Sequence, residues 1–323
     1  MGQKIVVYVI AFAVSVCFLI VSPVFGEDSL QVQKSTMKLQ MPSDEEMNRK
    51  AKNALTLSAV LPGAGQFYTG HPFKGGTFLA FEAITGGVAL FWRAEEHNRT
   101  EEVERFRDSM SFYQDAALQL QGDEYDSVMS RAGNFSIYRD RAQYEARQAR
   151  LTSHNAMAWM LGGYVFNLMD AAGESGLWVE SGPRDPQKAG WLAAIPGLGL
   201  GQLYNGSPSK AGMVIMSQIS LGVMSLNHHR LMTDAQNRYN QMRDSTSAQY
   251  DHRLEHLGYW KSRYDQAFSR RNTYLWYSLF FYLYSIFDAV VDAHLSDYEE
   301  KMGLAPDLAV GMNEAMFRIT FKL

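Results

Sequence analysis

The chain has 323 residues, a formal net charge of −4 at pH 7 and one cysteine, Cys17. That length suits one large domain or two of ordinary size, and the charge carries no basic excess of the kind that binds nucleic acid. Cys17 lies in an apolar N-terminal run, so a chain processed behind that run has no disulfide, thiol nucleophile or thiolate metal site.

Polar and apolar blocks alternate from the start. Residues 1–26 read as a secretory signal peptide: Lys4 is the charged region, 5–21 the apolar core, and Pro23 breaks it before Val24-Phe25-Gly26, where cleavage is expected. Residues 27–50 are polar and read as a flexible leader. Ser43 and Glu46 form a candidate capping box for a helix reaching Leu61. Its apolar part, 55–61, is too short to cross about 30 Å of hydrocarbon and is expected to be re-entrant or interfacial. Pro62 ends that helix because it has no N–H to donate. Gly63 and Gly65 then permit a sharp bend.

Residues 75–92 form the first apolar span, barely long enough at about 1.5 Å per residue. Residues 93–152 are a polar arm in which Phe106, Met110, Tyr113, Ala117 and Leu120 recur at spacings of four and three, giving one apolar stripe. Gly122-Asp123 marks a reversal, and the following helix carries Phe135, Tyr138 and Tyr144, so an antiparallel helical hairpin is predicted. Residues 156–172 return as a second span, closing a first repeat over 51–176. A linker, 177–190, leads to a second repeat over 191–296, with a bend at 195–208, a span at 211–226, an arm at 227–271 and a final span at 273–291. In the tail, 305–323, Phe317, Ile319, Phe321 and Leu323 alternate with Met316, Arg318, Thr320 and Lys322. That is the period of a strand, and 308–312 can pair with it in a short β-hairpin.

The two repeats match without a gap from the glutamine onward: Gln66, Tyr68, Gly70, Pro72, Lys74 and Gly76 fall on Gln202, Tyr204, Gly206, Pro208, Lys210 and Gly212. The register continues, with Glu82 on Gln218 and Gly86 on Gly222, which marks an internal duplication. The pattern P-G-x-G-Q-x-Y-N-G, a lysine, an apolar span, a polar arm, a span led by Arg-Asn and a closing V-D-A-H resembles a bacterial envelope family of unknown function. The second copy carries it on Pro196, Gly197, Gln202, Tyr204, Asn205, Gly206 and Lys210, then Arg271, Asn272 and Val291-Asp292-Ala293-His294. It has an additional Gly-Leu pair in the bend. The first copy keeps the bend but has Gly173-Glu174-Ser175-Gly176 at the V-D-A-H position. The resemblance implies a membrane protein and supplies no activity.

Three groups of residues could carry chemistry. His252-Arg-Leu-Glu255-His256 is the H-x-x-E-H pattern, whose histidines share a helix face and can bind zinc with the glutamate as base. The same residues suit a solvated arm helix, and no third ligand is evident. Glu82, Asn167 and Gln218 lie within spans, where ionisable and polar groups need partners; a carboxyl matched by an amide points to hydrogen-bonded packing. Asp170, Asp288, Asp292 and His294 lie near span ends. A carboxylate there opposes the helix dipole and calls for a cation, so Lys74 is expected to meet Asp170 or Glu174, and Lys210 to meet Asp288 or Asp292.

The sequence therefore predicts a mostly α-helical membrane protein of two tandem repeats, each with an interfacial helix, two spans and a hairpin arm of coiled-coil character. The expected function is a non-catalytic envelope scaffold without a cofactor. Its partners are the lipid bilayer, other envelope proteins through the arms, and further copies of itself. Rival readings are a transporter or channel built from parallel repeats and a zinc-dependent hydrolase. Arg93, Arg147, Arg150, Arg230, Arg270 and Arg271 crowd the arm-side span ends, which favours the inner membrane over the outer, with the arms in the cytoplasm.

Overall fold

A computed structural model describes residues 44–174, 182–244 and 253–296. The signal segment with Cys17, most of the leader, His252 and the predicted β-hairpin of the tail lie outside the described residues. Among the described residues the chain consists of helices and connecting turns. Four helices are long: α3 Pro72–Ala117, α4 Asp123–Glu174, α7 Pro208–Asp244 and α8 Arg253–Leu295. Four are short: α1 Asp44–Val60, α2 Ala64–Thr69, α5 Pro186–Ala193 and α6 Leu200–Tyr204.

Each long helix joins an apolar stretch to a polar arm without a break. No proline interrupts the 46 residues of α3 after its first, and α3 runs from the bend to the arm tip, about 69 Å at 1.5 Å per residue. Prolines instead sit at helix starts, where the missing N–H costs nothing: Pro72 opens α3, Pro186 opens α5 and Pro208 opens α7. The Asp185 carboxylate caps α5 by accepting from Gln187 N and Lys188 N at 2.9 and 3.4 Å. Thus α5 begins inside the stretch read as a linker, because Asp-Pro is a helix start and not a spacer.

The long helices run alternately up and down. α3 and α4 meet through Lys74–Asp170 near the bends, Ser153 to Ala89 O in the middle and Arg99–Glu145 in the arm. α4 and α7 meet through Ser209–Asp170, Ser220 to Ala158 O and Arg238–Gln143. α7 and α8 meet through Lys210–Asp288 and Gln218 to Ser278 O. α4 and α7 are the inner pair, packing on each other and each on its own hairpin partner.

Buried apolar contact concentrates in the arms. Tyr144 and Leu151 of α4, Leu231, Met232 and Ala235 of α7, and Trp260 and Ala267 of α8 form one core. Trp260 is 1% exposed and meets the Tyr144 ring edge-on at 5.5 Å. Tyr144 therefore does not belong with the aromatics of its own hairpin. The outer half of the first arm is zipped separately by Phe106, Tyr113, Phe135 and Tyr138. In the apolar stretches the situation reverses: Leu90 on α3 and Trp276, Phe280 and Phe287 on α8 are all more than half exposed.

Candidate functional site

The duplicated bends are held by hydrogen bonds to the short helices beside them and to the returning long helix. In the first, Gly63 precedes α2 with φ +86, and a Cβ there would overlap the Gly75 carbonyl. In the second, Gly199 precedes α6 with φ +58, and its Cβ would lie 2.8 Å from Ala211 O. Gly75 and Ala211 are register mates, so Gly199 is the structural counterpart of Gly63. Gly197, placed there by the Pro-Gly pattern, has positive φ but open space around it. The bend of the second copy is longer, and Pro196 and Gly197 lie on the extra length. Gly65 and Gly201 back onto the preceding short helix in the same way, against Ala54 O and Ser58 in one copy and Ala189 O and Ala193 in the other.

The glutamine of each bend is fully buried and anchors the returning helix. Gln66 Nε2 donates to Asn167 O at 3.1 Å, and Gln202 Nε2 donates to Ser285 O at 2.7 Å. One turn earlier, Tyr164 OH donates to Ala59 O and Tyr282 OH to Ala194 O. These pairs occupy the same positions in both halves. Around Gln66 the first copy is more elaborate: Asn167 Oδ1 accepts from Gly63 N, Asn167 Nδ2 donates to Ser58 O, and Ser58 Oγ donates to Gln66 Oε1. In the second copy Asn205 Nδ2 donates to Ala289 O at 2.7 Å. Tyr68 accepts from Asn53 at 3.4 Å and Tyr204 accepts from Asp185 N at 3.2 Å. Gly70 and Gly206 close the short helices with positive φ.

The lysines meet acids in both copies. Lys74 Nζ lies 3.2 Å from Asp170 Oδ1. Asp170 is buried and also accepts from Gln66 Nε2 at 3.2 Å and from Ser209 Oγ, on the other repeat, at 2.9 Å. Lys210 takes both candidates, Asp288 at 3.0 Å and Asp292 at 2.6 Å. Burial disfavours the Lys210 ammonium, but its two carboxylates outweigh that and hold its pKa above the usual lysine value. His294 is exposed at the end of α8. The set positions backbone and compensates charge.

A model of a family of unknown function, DUF5683, matches residues 47–177 and again 182–323. The chain belongs to this family. The boundary between the two DUF5683 segments falls between α4 and α5, so each segment holds one complete bend and one long hairpin. No curated protein and no solved structure matches the chain.

Other singled-out residues part company. Gln218 Nε2 donates to Ser278 O and its Oε1 accepts from Ser278 Oγ. Its mate Glu82 does not share that role: Glu82 Oε1 is buried with no hydrogen-bond partner among the described residues. Of the H-x-x-E-H pattern, Glu255 is exposed whereas the His256 ring is buried against the Arg141 guanidinium. A cation beside that ring opposes a second cation. Among the described residues no group of three potential ligands converges on one point. His228 is buried, donates from Nδ1 to Met224 O at 2.9 Å, and is held below the usual histidine value by that burial. In the arm core, burial pushes the Tyr144 and Tyr259 hydroxyls above the usual tyrosine value.

Proposed function

We propose that this DUF5683 protein is an integral membrane protein of the bacterial cell envelope that acts as a non-catalytic scaffold. The apolar stretches of α3, α4, α7 and α8 lie in the bilayer, the two bends lie at one interface, and both arms project from the other to dock partner proteins. One observation carries the reading. Among the described residues, the 18-residue windows apolar enough to cross a membrane lie on α3 and α8 and are only 11% buried. A soluble fold would place such windows in its core. Here they face outward, and on α8 the exposed apolar residues run from Leu275 to Leu295, about 30 Å of helix and the thickness of a hydrocarbon core. Exposed Tyr68, Phe73 and Trp191 near the bends suit a membrane–water interface. The side-chain amide donors of the bends are spent on helix anchoring, which supports a structural role over a transport path.

Alkaline carbonate washing of membranes tests the placement: the full chain should stay in the pellet and leave it only with detergent. Release by carbonate alone would overturn it.

A further inference from the structure

We infer that a basic cavity between α4 and α7 holds the phosphate-bearing headgroup of an anionic phospholipid. The inference rests on the membrane reading above. The cavity, about 340 Å³, is lined by Arg147, Arg150, Leu151 and His154 of α4 and by Arg230 of α7. Residues 147, 150 and 154 share one helix face. All three α4 groups and Arg230 lie just on the arm side of the apolar stretches, at the height of a lipid headgroup.

The acids nearby do not neutralise this cluster. Asp234 lies 3.3 Å from Arg147 but also 3.6 Å from Arg238. Glu96 lies 4.0 Å from Arg150 but 3.0 Å from Arg93. Arg230 and His154 meet no carboxylate among the described residues; Arg230 contacts Asn227 Oδ1 at 3.5 Å. Arg147 and Arg150 both line the cavity and leave nearly half of their side chains exposed. Guanidinium groups offer planar, paired donors that suit phosphate oxygens.

The surface below the cavity identifies the rest of the ligand. Continuing along the same helix faces into the apolar band, α4 presents Met157 and Leu161, and α7 presents Leu226 and Ile219, each more than 40% exposed. Between the last two lies Gly222, where a Cβ would meet nothing within 4 Å. A cationic cavity above a shallow apolar groove fits an amphiphile with an anionic head and an acyl chain. Basic pockets between membrane helices are suited to such headgroups. A free phosphate would satisfy the arginines and leave the groove unused.

The test uses the full chain in detergent, with bound lipid read by native mass spectrometry. Phosphatidylglycerol should be retained, phosphatidylcholine should not displace it, and millimolar inorganic phosphate should not displace it. The double variant Arg150→Gln/Arg230→Gln should weaken retention about tenfold or more, at roughly a kcal/mol per arginine. Gly222→Leu, which fills open space and leaves every charge, should also weaken phosphatidylglycerol retention. Arg107→Gln, in the arm, should not. Equal retention by the double variant, or equal binding of phosphatidylcholine, would overturn the proposal. Displacement by inorganic phosphate with Gly222→Leu unaffected would reassign the site to a free anion. Carbonate washing of the same membranes reports separately on the membrane reading: an embedded chain that binds lipid indifferently defeats only the lipid site.

Discussion

Lys74 and Lys210 occupy the same place in the duplicated pattern but hold their acids differently. Asp170 is shared by Lys74, Gln66 and Ser209, whereas Lys210 has two acids to itself. Removing Asp170 takes one acceptor from Lys74, Gln66 and Ser209 together, while Gln66 Nε2 keeps Asn167 O, so Asp170→Ala should cost about 3 kcal/mol. Lys74→Ala leaves Asp170 its other two donors, and the lysine side chain is 42% exposed, so its cost should be nearer 1–2 kcal/mol. Thermal unfolding in detergent should rank Asp170→Ala well below Lys74→Ala; the reverse order would refute the shared role of Asp170. The glycines give a second test. Gly63→Ala and Gly199→Ala meet backbone and should abolish accumulation, while Gly197→Ala meets only its own backbone strain, about 1 kcal/mol, and should accumulate. Equal loss at Gly197 and Gly199 would restore the Pro-Gly alignment. The lysine–acid meetings were legible because charges at helix ends follow from span boundaries alone. The Gly199 assignment was legible too, since the register that puts Gln66 on Gln202 puts Gly63 on Gly199, but the Pro-Gly letters point to Gly197 instead. Asn167 was visible only as a polar residue in a span; its use as a backbone partner for Ser58 and Gly63 requires knowing which helix lies opposite.

At the scale of elements, the arms show what a sequence stripe does and does not reveal. Phe106, Tyr113, Phe135 and Tyr138 meet as the local hairpin predicts. Tyr144 turns instead to Trp260, more than a hundred residues away. Periodicity gives the direction a face points and not the identity of its partner. The second arm carried its own signal in Leu231, Ala235, Tyr239 and Met242, spaced four, four and three, and in Trp260, but a stripe alone does not say that two arms share one core. Trp260→Ala should cost about 3–5 kcal/mol. Hydrogen exchange should rise around 144–151 and 231–239 and stay unchanged at 106–113. Uniform loosening of both arms would show that the inner and outer halves are one cooperative unit. The merging of span and arm into single helices was foreshadowed by the lack of any proline between 72 and 183.

At the scale of the whole molecule, the up–down order of α3, α4, α7 and α8 puts both arms at one end of the bundle, and in the proposed membrane placement on one side whatever the insertion direction. Single cysteines at Gln119 and Arg243, introduced with Cys17 removed, should therefore react together or be protected together with an impermeant maleimide. Protection in intact inner membrane would place them in the cytoplasm, as the arginine-rich span ends favour. One reactive and one protected site would break the antiparallel order. In the proposed membrane placement, the unbroken run of α3 from its apolar stretch to the arm tip has a mechanical consequence. Its portion beyond residue 92 extends to Ala117, about 37 Å at 1.5 Å per residue. Helices answer a change in bilayer thickness by tilting, and a tilt of about 10° swings a lever of that length by roughly 6 Å at its tip. Spin labels at Gln119 and Arg243 should change separation between thin and thick bilayers. The thickness of the lipid layer would then be written as a displacement far outside it, at the height where a partner protein would sit.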